Sequence, residues 1–397
     1  MTPEDGRVSQ PGGSPEDTDL AAALARSRVL AAVAPPSLRA TPRVEALGQS
    51  HGPATRGIYR VAEAVRERGQ PTAWSVILKI LSPDAVPAPG RDDPTSYLYW
   101  RREMLAYEGG LLEDLPGGLR APRLLGRDDQ PDGSVWLWLE EVHDASGPQW
   151  PLAQYRRAAQ CLGRFNGAYL AGRPRPPYLW LHRMASARGL LDHYAWLRAV
   201  VAAPATWTHP SLQARADALA PRLLRLWDER ATLLDRLERL PHTLCHCDAW
   251  RGNLCACAPA GTAAGQELIA LDWAVLGWGA VGTDPGDLFA PSFAQGLVKP
   301  CTPRELDTAI FEGYLEGLGE AGWRPDRALV RFGYAAFAAL KYGGVLPWLI
   351  IGGDASSIAA WAQGGGRPLE ELLYEPLALM AYLLDLLDEA CELAAHL

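Results

Sequence analysis

One stretch of this 397-residue chain carries chemistry in its spacing. Leu244 to Ala256 reads LCHCDAWRGNLCA and sets His246, Asp248 and Asn253 in the pattern H-x-D-x-x-x-x-N. A tight turn at Gly252 and a further apolar run follow, and the next strand-like segment, LIALDW, carries a second acid, Asp272. Two carboxylates and an amide on loops and strand ends suit phosphoryl transfer. One carboxylate, Asp248, orients an attacking hydroxyl and accepts its proton. The amide oxygen of Asn253 and the carboxylate of Asp272 hold Mg²⁺ against nucleotide phosphates. Taken singly, each residue has a plainer reading. Asp248 could cap a turn, and Asn253 could supply a left-handed turn conformation.

These residues need elements to position them. Residues 1 to about 40 are rich in Pro, Gly, Ser, Asp and Glu, and read as a disordered tail leading into a short amphipathic helix in LAAALARSRVLAAV. Residues 41–147 then alternate: RGIYRVAEAV and TAWSVILKIL form a hairpin-like pair of strands around RERGQP. SYLYWRREMLAYEGGLL carries apolar residues at helical spacing and ends at a Gly pair. The strands APRLLG and SVWLWLEEV complete an antiparallel sheet with one helix laid on it. Residues 148–397 turn mainly helical, interrupted by TLCHCD, NLCACA, the turn PAGTAAGQ and ELIALDW. The class is therefore α+β: a β-rich N-terminal lobe followed by a larger helical lobe with a small inserted hairpin.

Bulk properties narrow the function. Hydrophobic residues make up 48% and charged residues 21%, ordinary for a folded enzyme. A net charge of −8 argues against a nucleic-acid binder. It suits either plain solubility or an acidic pocket for a cationic substrate. No N-terminal run resembles a signal peptide, and no apolar run is long enough to span a membrane; the patch VLPWLII reads as buried core. The expectation is a cytoplasmic protein. Of seven cysteines, Cys245, Cys247, Cys255 and Cys257 cluster, but pairs spaced by a single residue match no usual zinc-finger spacing, and small buried thiols are expected.

The motif and its order resemble the protein-kinase-like superfamily on its small-molecule branch, the aminoglycoside phosphotransferase family. The resemblance runs from about residue 44 to about 345 and implies a bilobal kinase fold. It implies that Asp248 is the catalytic base and that Asn253 and Asp272 are magnesium ligands. AVGTDPGDL resembles the family's G-D-P-x-x-D-L segment, which implies that Asp287 braces the catalytic loop through backbone contacts, while His246 fixes the loop by a hydrogen bond. Lys79, inside the apolar strand SVILKIL, would contact phosphates and pair with Glu103, with Glu108 a second choice. A lysine at a strand edge can also snorkel, and Arg101 or Arg102 could engage Glu103 on the helix surface instead. Backbone groups at Glu140, Glu141 and Val142 would read the purine edge.

The implied activity moves the γ-phosphoryl group of ATP or GTP, with Mg²⁺, to a hydroxyl of a small substrate such as an aminoglycoside-like antibiotic or a related amino or hydroxy metabolite. The sequence departs from the pattern in places. Cys247 stands between His and Asp, Asp272-Trp273-Ala274 replaces Asp-Phe-Gly, and only Gly48, Gly52 and Gly57 serve in place of a G-x-G-x-x-G loop. No Ala-Pro-Glu motif follows Asp272, which weighs against the alternative of a protein kinase; the intact Asp248, Asn253 and Asp272 set weighs against a partner-binding pseudokinase. A redox or zinc module built on the cysteines is a third reading.

Overall fold

The computed structural model describes residues 20, 23–34, 42–48, 54–67, 70–86, 90–183, 188–189, 191–192, 194–208, 210–257, 267–324, 326–344 and 369–397. Gly52, the PAGTAAGQ turn and VLPWLII lie outside the described residues. Two compact units divide the chain. The first comprises Met1–His51, Thr55–Ser82 and Arg123–Glu141, and the second Gly52–Ala54, Pro83–Pro122 and Val142–Leu397. Residues 83–122, read from the sequence as part of the N-terminal lobe, thus group with the second unit.

In the first unit, strands β1 (Arg43–Ala46), β2 (Thr55–Glu67), β3 (Gln70–Leu81), β4 (Leu124–Asp129) and β5 (Val135–Glu140) form one antiparallel sheet in the order β1-β2-β3-β5-β4. Alternation along β3 decides which side chains share a face. Val76, Leu78 and Ile80 join Val61, Trp136 and Trp138 in a core that also takes Leu24 and Leu30. Leu30 belongs to helix α1 (Arg28–Val33), which Ser27 caps by accepting the Leu30 N–H at 3.0 Å. Ser27 also donates to Asp128 at 2.5 Å, which ties the helix to β4. The same pleat places Lys79 on the opposite face, beside Ile58 and Leu137 in register and only 3% exposed.

The second unit carries the loops of interest between two small sheets. Strand β9 (Gly277–Ala280) lies between β6 (His242–Cys245) and the two-residue strand His182–Arg183 and pairs with both, while β8 (Glu267–Ala270) lies between β7 (Leu254–Cys257) and Leu119–Arg120 and pairs with both. Residues 246–253 therefore cross from one sheet to the other, and Asp272 follows β8. Antiparallel pairing of Ala270 with Leu254 brings the segment before Asp272 alongside Asn253; the Leu271 N–H donates to the Asn253 carbonyl at 2.7 Å.

Helices α2 (Arg102–Glu108), α3 (Leu152–Leu170), α4 (Pro210–Leu237), α5 (Thr283–Ala294), α6 (Pro303–Glu320), α7 (Arg327–Ala338) and α8 (Leu369–Ala394) complete the unit, with a π-helical turn at Ala339–Gly343 after α7. The predicted helix in SYLYWRREMLAYEGGLL is shorter than its apolar periodicity: residues 96–101 form turns instead, and the Ser96 and Tyr97 carbonyls accept from the Arg102 guanidinium. It ends at the Gly pair as expected, Gly110 having φ 68°. Helices α3 and α6 cross closely because Gly163, Gly313 and Gly317 lack side chains: a Cβ on each would lie 2.1–2.3 Å from a backbone oxygen of the other helix. That approach lets Tyr314 of α6 donate to the Asn166 side chain of α3 at 2.7 Å.

Candidate active site

Asp248 sits in a buried loop, and its carboxylate is held by Asn253. The Asn253 Nδ2 donates at 2.8 Å to Asp248 Oδ2 and at 3.0 Å to the Asp248 carbonyl. Both donations come from the amide nitrogen, which leaves the amide oxygen as an acceptor. Burial raises the Asp248 carboxyl above the ordinary aspartate range, and the Asp272 charge adds to it, while Lys341, His246 and Asn253 act in the opposite sense.

The loop reaches this shape through one left-handed residue. Cys247 has φ 65°, a region that costs a side-chain-bearing residue about 1–2 kcal/mol and persists only where neighbours over-determine it. Asp284 supplies the constraint: one carboxylate oxygen accepts the Cys247 N–H at 2.9 Å, and the other accepts the His246 N–H at 3.1 Å and the Asn166 Nδ2 at 3.0 Å. Asn166 also donates to the Leu244 carbonyl at 2.8 Å, so Tyr314, Asn166 and Asp284 form a buried chain ending on the loop. Gly282, at φ 101°, starts the helix that carries Asp284; a Cβ there would lie 2.3 Å from the Tyr334 nitrogen.

Two sequence expectations need correcting. Backbone bracing of the catalytic loop was expected from Asp287, but Asp284, three residues earlier and at the start of α5, makes those contacts. Asp287 lies one turn further on. It accepts from the Lys341 ammonium and from the Tyr342 hydroxyl, each at 2.5 Å, and reaches the loop only through Lys341. The alternative that Arg102 engages Glu103 from the helix surface does not fit Arg102's place in the fold. Arg102 is fully buried, and its guanidinium donates to the carbonyls of Trp180 (2.8 Å), Tyr97 (3.0 Å), Ala274 (3.0 Å) and Ser96. It thereby ties the segment after Asp272 to the residues preceding α2. Burial draws it down to about 10.

The remaining expected residues fall as follows. His246 is buried, and its Nε2 lies 2.8 Å from the Leu271 carbonyl, with its ring 4.5 Å from that of Trp273. Trp273, in the place of a phenylalanine, is fully buried, and its backbone N–H lies 3.4 Å from the Glu103 carboxylate. Asp272 is left-handed at φ 56°, which turns the chain sharply after β8, and accepts from the Ala274 N–H at 3.4 Å. Asn253 and Asp272 offer hard oxygens only, and no group of three or more His, Cys, Asp or Glu able to hold a metal occurs among the described residues. A cation that keeps waters and takes its other ligands from phosphates, as Mg²⁺ does, fits such a sparse set. Lys79 belongs to the first unit and Glu103 to the second. At the end of β5, Glu140 is committed: its N–H donates to the Arg123 carbonyl at 3.0 Å and its carboxylate accepts from Arg123. Glu141 pairs with Arg60 at 3.0 Å. Cys245, Cys247 and Cys255 are buried free thiols.

A further buried group packs beneath the loop after Asp272. His182 Nε2 lies 2.7 Å from the Val275 carbonyl, and burial, aided by Arg102, holds the imidazole down to about 3. An unfolded histidine titrates near 6.5, so between these values the unfolded chain binds a proton that the folded one refuses, and stability falls as pH falls. At pH 5 the loss from this group is about 2 kcal/mol. Urea denaturation at pH 7 and pH 5 should show His182→Gln losing about 2 kcal/mol less than the wild type over that step. Equal losses would mean that His182 takes up its proton as readily in the folded chain as in the unfolded one.

With this geometry established, the fold can be compared with solved structures. An amicoumacin kinase solved with AMP-PNP, Ca²⁺ and Ami superposes with a TM-score of 0.55 over 93% of this chain and 94% of that one, at 14% identity. The chain has a protein-kinase-like fold. An aminoglycoside phosphotransferase from Alicyclobacillus acidocaldarius aligns over 98% of each chain with 12% identity and a TM-score of 0.49. A choline kinase from Cryptosporidium parvum aligns over 88% and 90% with 13% identity and a TM-score of 0.49. No protein-family model matches the sequence, and no curated protein matches it. Among the described residues, no helix is long and apolar enough to cross a membrane.

The kinase-like loop also shows what sequence reasoning missed. Asp284 lay within the quoted GTDPGDL segment, so helix phase alone separated it from Asp287. Asn166, Arg102 and Lys341 had no local signal, since each is a polar residue in a helical pattern.

Proposed function

We propose that this protein is a small-molecule O-phosphotransferase that moves the γ-phosphoryl group of ATP or GTP to a substrate hydroxyl. The observation that carries the reading is the half-buried Asp248 carboxylate, held by Asn253 in a braced left-handed loop, with the segment before Asp272 alongside. In this reading the substrate hydroxyl donates its proton to Asp248 as its oxygen bonds to the γ-phosphorus. The bond from that phosphorus to the bridging oxygen breaks, and the nucleoside diphosphate leaves. Asn253 and Asp272 would hold Mg²⁺, which supplies neutralisation of the phosphate charge. Lys79 would contact the phosphates, and the chain after β5 at Glu141 and Val142 would read the purine, since the Glu140 N–H is already taken.

Because the solved structures of this fold include kinases of antibiotics and of choline, we take the acceptor to be an amino- or hydroxyl-rich small molecule, and we place the protein in the cytoplasm, where nucleoside triphosphates are supplied. The test is incubation with Mg²⁺, ATP or GTP and a panel of aminoglycosides, other antibiotics, amino alcohols and sugars, read by mass spectrometry for one added phosphoryl group. A phosphorylated product supports the reading; neither product nor nucleotide binding would overturn it. In the same assay, Asp272→Ala should weaken Mg²⁺-nucleotide binding at least about tenfold by calorimetry. Unchanged affinity would remove Asp272 from the metal site.

A further inference from the structure

We propose that Lys341 is a positioning residue for Asp248, acting by holding the Cys247 carbonyl that immediately precedes it. This rests on the phosphotransferase reading above. The left-handed Cys247 is gripped on both of its peptide groups. Its N–H goes to Asp284 at 2.9 Å, and its carbonyl accepts from the Lys341 ammonium at 3.3 Å. The first contact sets where the loop enters the turn. The second sets the plane of the peptide linking residues 247 and 248, and hence the direction in which the Asp248 side chain leaves the backbone.

Lys341 is itself immobilised. It is 9% exposed and sits on the π-helical turn Ala339–Gly343, a local irregularity that often marks functional positions. Its ammonium pairs with Asp287 Oδ1 at 2.5 Å, and the same carboxylate oxygen accepts from the Tyr342 hydroxyl. Burial alone would favour the neutral amine, but the Asp287 and Asp248 carboxylates outweigh it and keep the ammonium. Arg251, the one arginine or lysine of the loop itself, cannot take this role. Its guanidinium is spent on the Leu254 carbonyl at 2.7 Å, the Gly147 carbonyl at 2.6 Å and the Asp144 carboxylate. Lys341, 93 residues beyond Asp248, therefore brings a cation to a loop whose own cation is committed elsewhere.

The decisive variant is the pair Lys341→Met with Asp287→Leu, which removes the ammonium and its counter-ion together and leaves neither charge buried alone. Nucleotide turnover with water as acceptor, followed by phosphate release from Mg²⁺-ATP or Mg²⁺-GTP, serves as the kinetic probe. The expected result is a folded chain with KM for nucleotide within about twofold of wild type. Its kcat should fall about a hundredfold, the scale on which misplacing a reacting group by an ångström acts. Lys341→Arg, which keeps a cationic donor, should recover most of that loss. Amide exchange across residues 244–254 should quicken in the double variant, while exchange in α3 stays as in the wild type. Wild-type kcat in the folded double variant, or a fall carried entirely by KM, would overturn the proposal. So would a Lys341→Arg protein no better than the double variant. If the wild type neither binds nor turns over nucleotide, the phosphotransferase reading fails, and the exchange measurement still decides the clamp: unchanged protection of 244–254 refutes it.

Discussion

Asp248→Asn should give a folded protein that still binds Mg²⁺-nucleotide but transfers phosphoryl groups about 10²–10⁴ times more slowly, the range assigned to a positioned general base. The substitution is isosteric, and an amide oxygen at the Oδ2 position can still accept from Asn253, so the loop keeps its internal hydrogen bond. Only the capacity to take a proton is lost. Because the surroundings of this half-buried carboxylate oppose its ionised form, a neutral amide brings no desolvation cost, and the melting temperature should be no lower than that of the wild type. Steady-state kinetics with nucleotide affinity measured by calorimetry would check both halves. Turnover within tenfold of wild type would remove Asp248 from the chemistry. Weak nucleotide binding would instead place the residue among the metal or phosphate ligands.

Asp284→Asn should damage both stability and turnover. Asp284 accepts three N–H groups, from Asn166, His246 and Cys247, and is fully buried. An asparagine has one accepting oxygen, so its NH₂ end must face a donor whichever way it is turned. One of the two ends of the brace is then replaced by a repulsive contact, and a buried charged acceptor is lost. The expected loss is about 3–5 kcal/mol in urea denaturation. A matching rise in hydrogen exchange should appear at residues 246–248, with kcat falling as the left-handed Cys247 relaxes. Stability within about 1 kcal/mol of wild type would mean that the loop holds its conformation without this carboxylate. The contrast with Asp248→Asn is informative in itself: the same chemical change, 36 positions apart, should spare the fold in one place and break it in the other. Asp248 has a single side-chain donor, Asn253, while Asp284 satisfies three.

Much of the architecture was legible because it is written in local periodicity. Alternation in SVILKIL put Lys79 and its apolar neighbours on opposite faces of β3, and the Gly pair after YE ended α2 where expected. The strand-loop-strand course of residues 242–257 was equally plain, since Asp248 and Asn253 lie in one continuous loop and need no distant partner to be noticed. Strand β9 and the two-residue strands were not predicted. Short runs such as GWGA carry no alternation of their own, and only pairing, here with β6 and with His182–Arg183, makes them strands.

Residue types and their order along 244–273 determined that this protein places two acids and an amide on adjacent loops, because a contiguous loop cannot separate residues five positions apart. The tertiary structure decided what holds them there. Whether Asp284 or Asp287 grips the loop depends on the phase of α5, which Gly282 and its packing against Tyr334 set. Whether Arg102 lies at the surface or binds four carbonyls depends on how residues 96–97, 180 and 274 converge. Whether Lys341 is one more helical lysine or a clamp depends on a π-turn that delivers it to Asp287. Each of these choices is made by contacts between residues tens of positions apart or more. A buried charge is stable only where such contacts assemble around it, and local sequence has no means to record them.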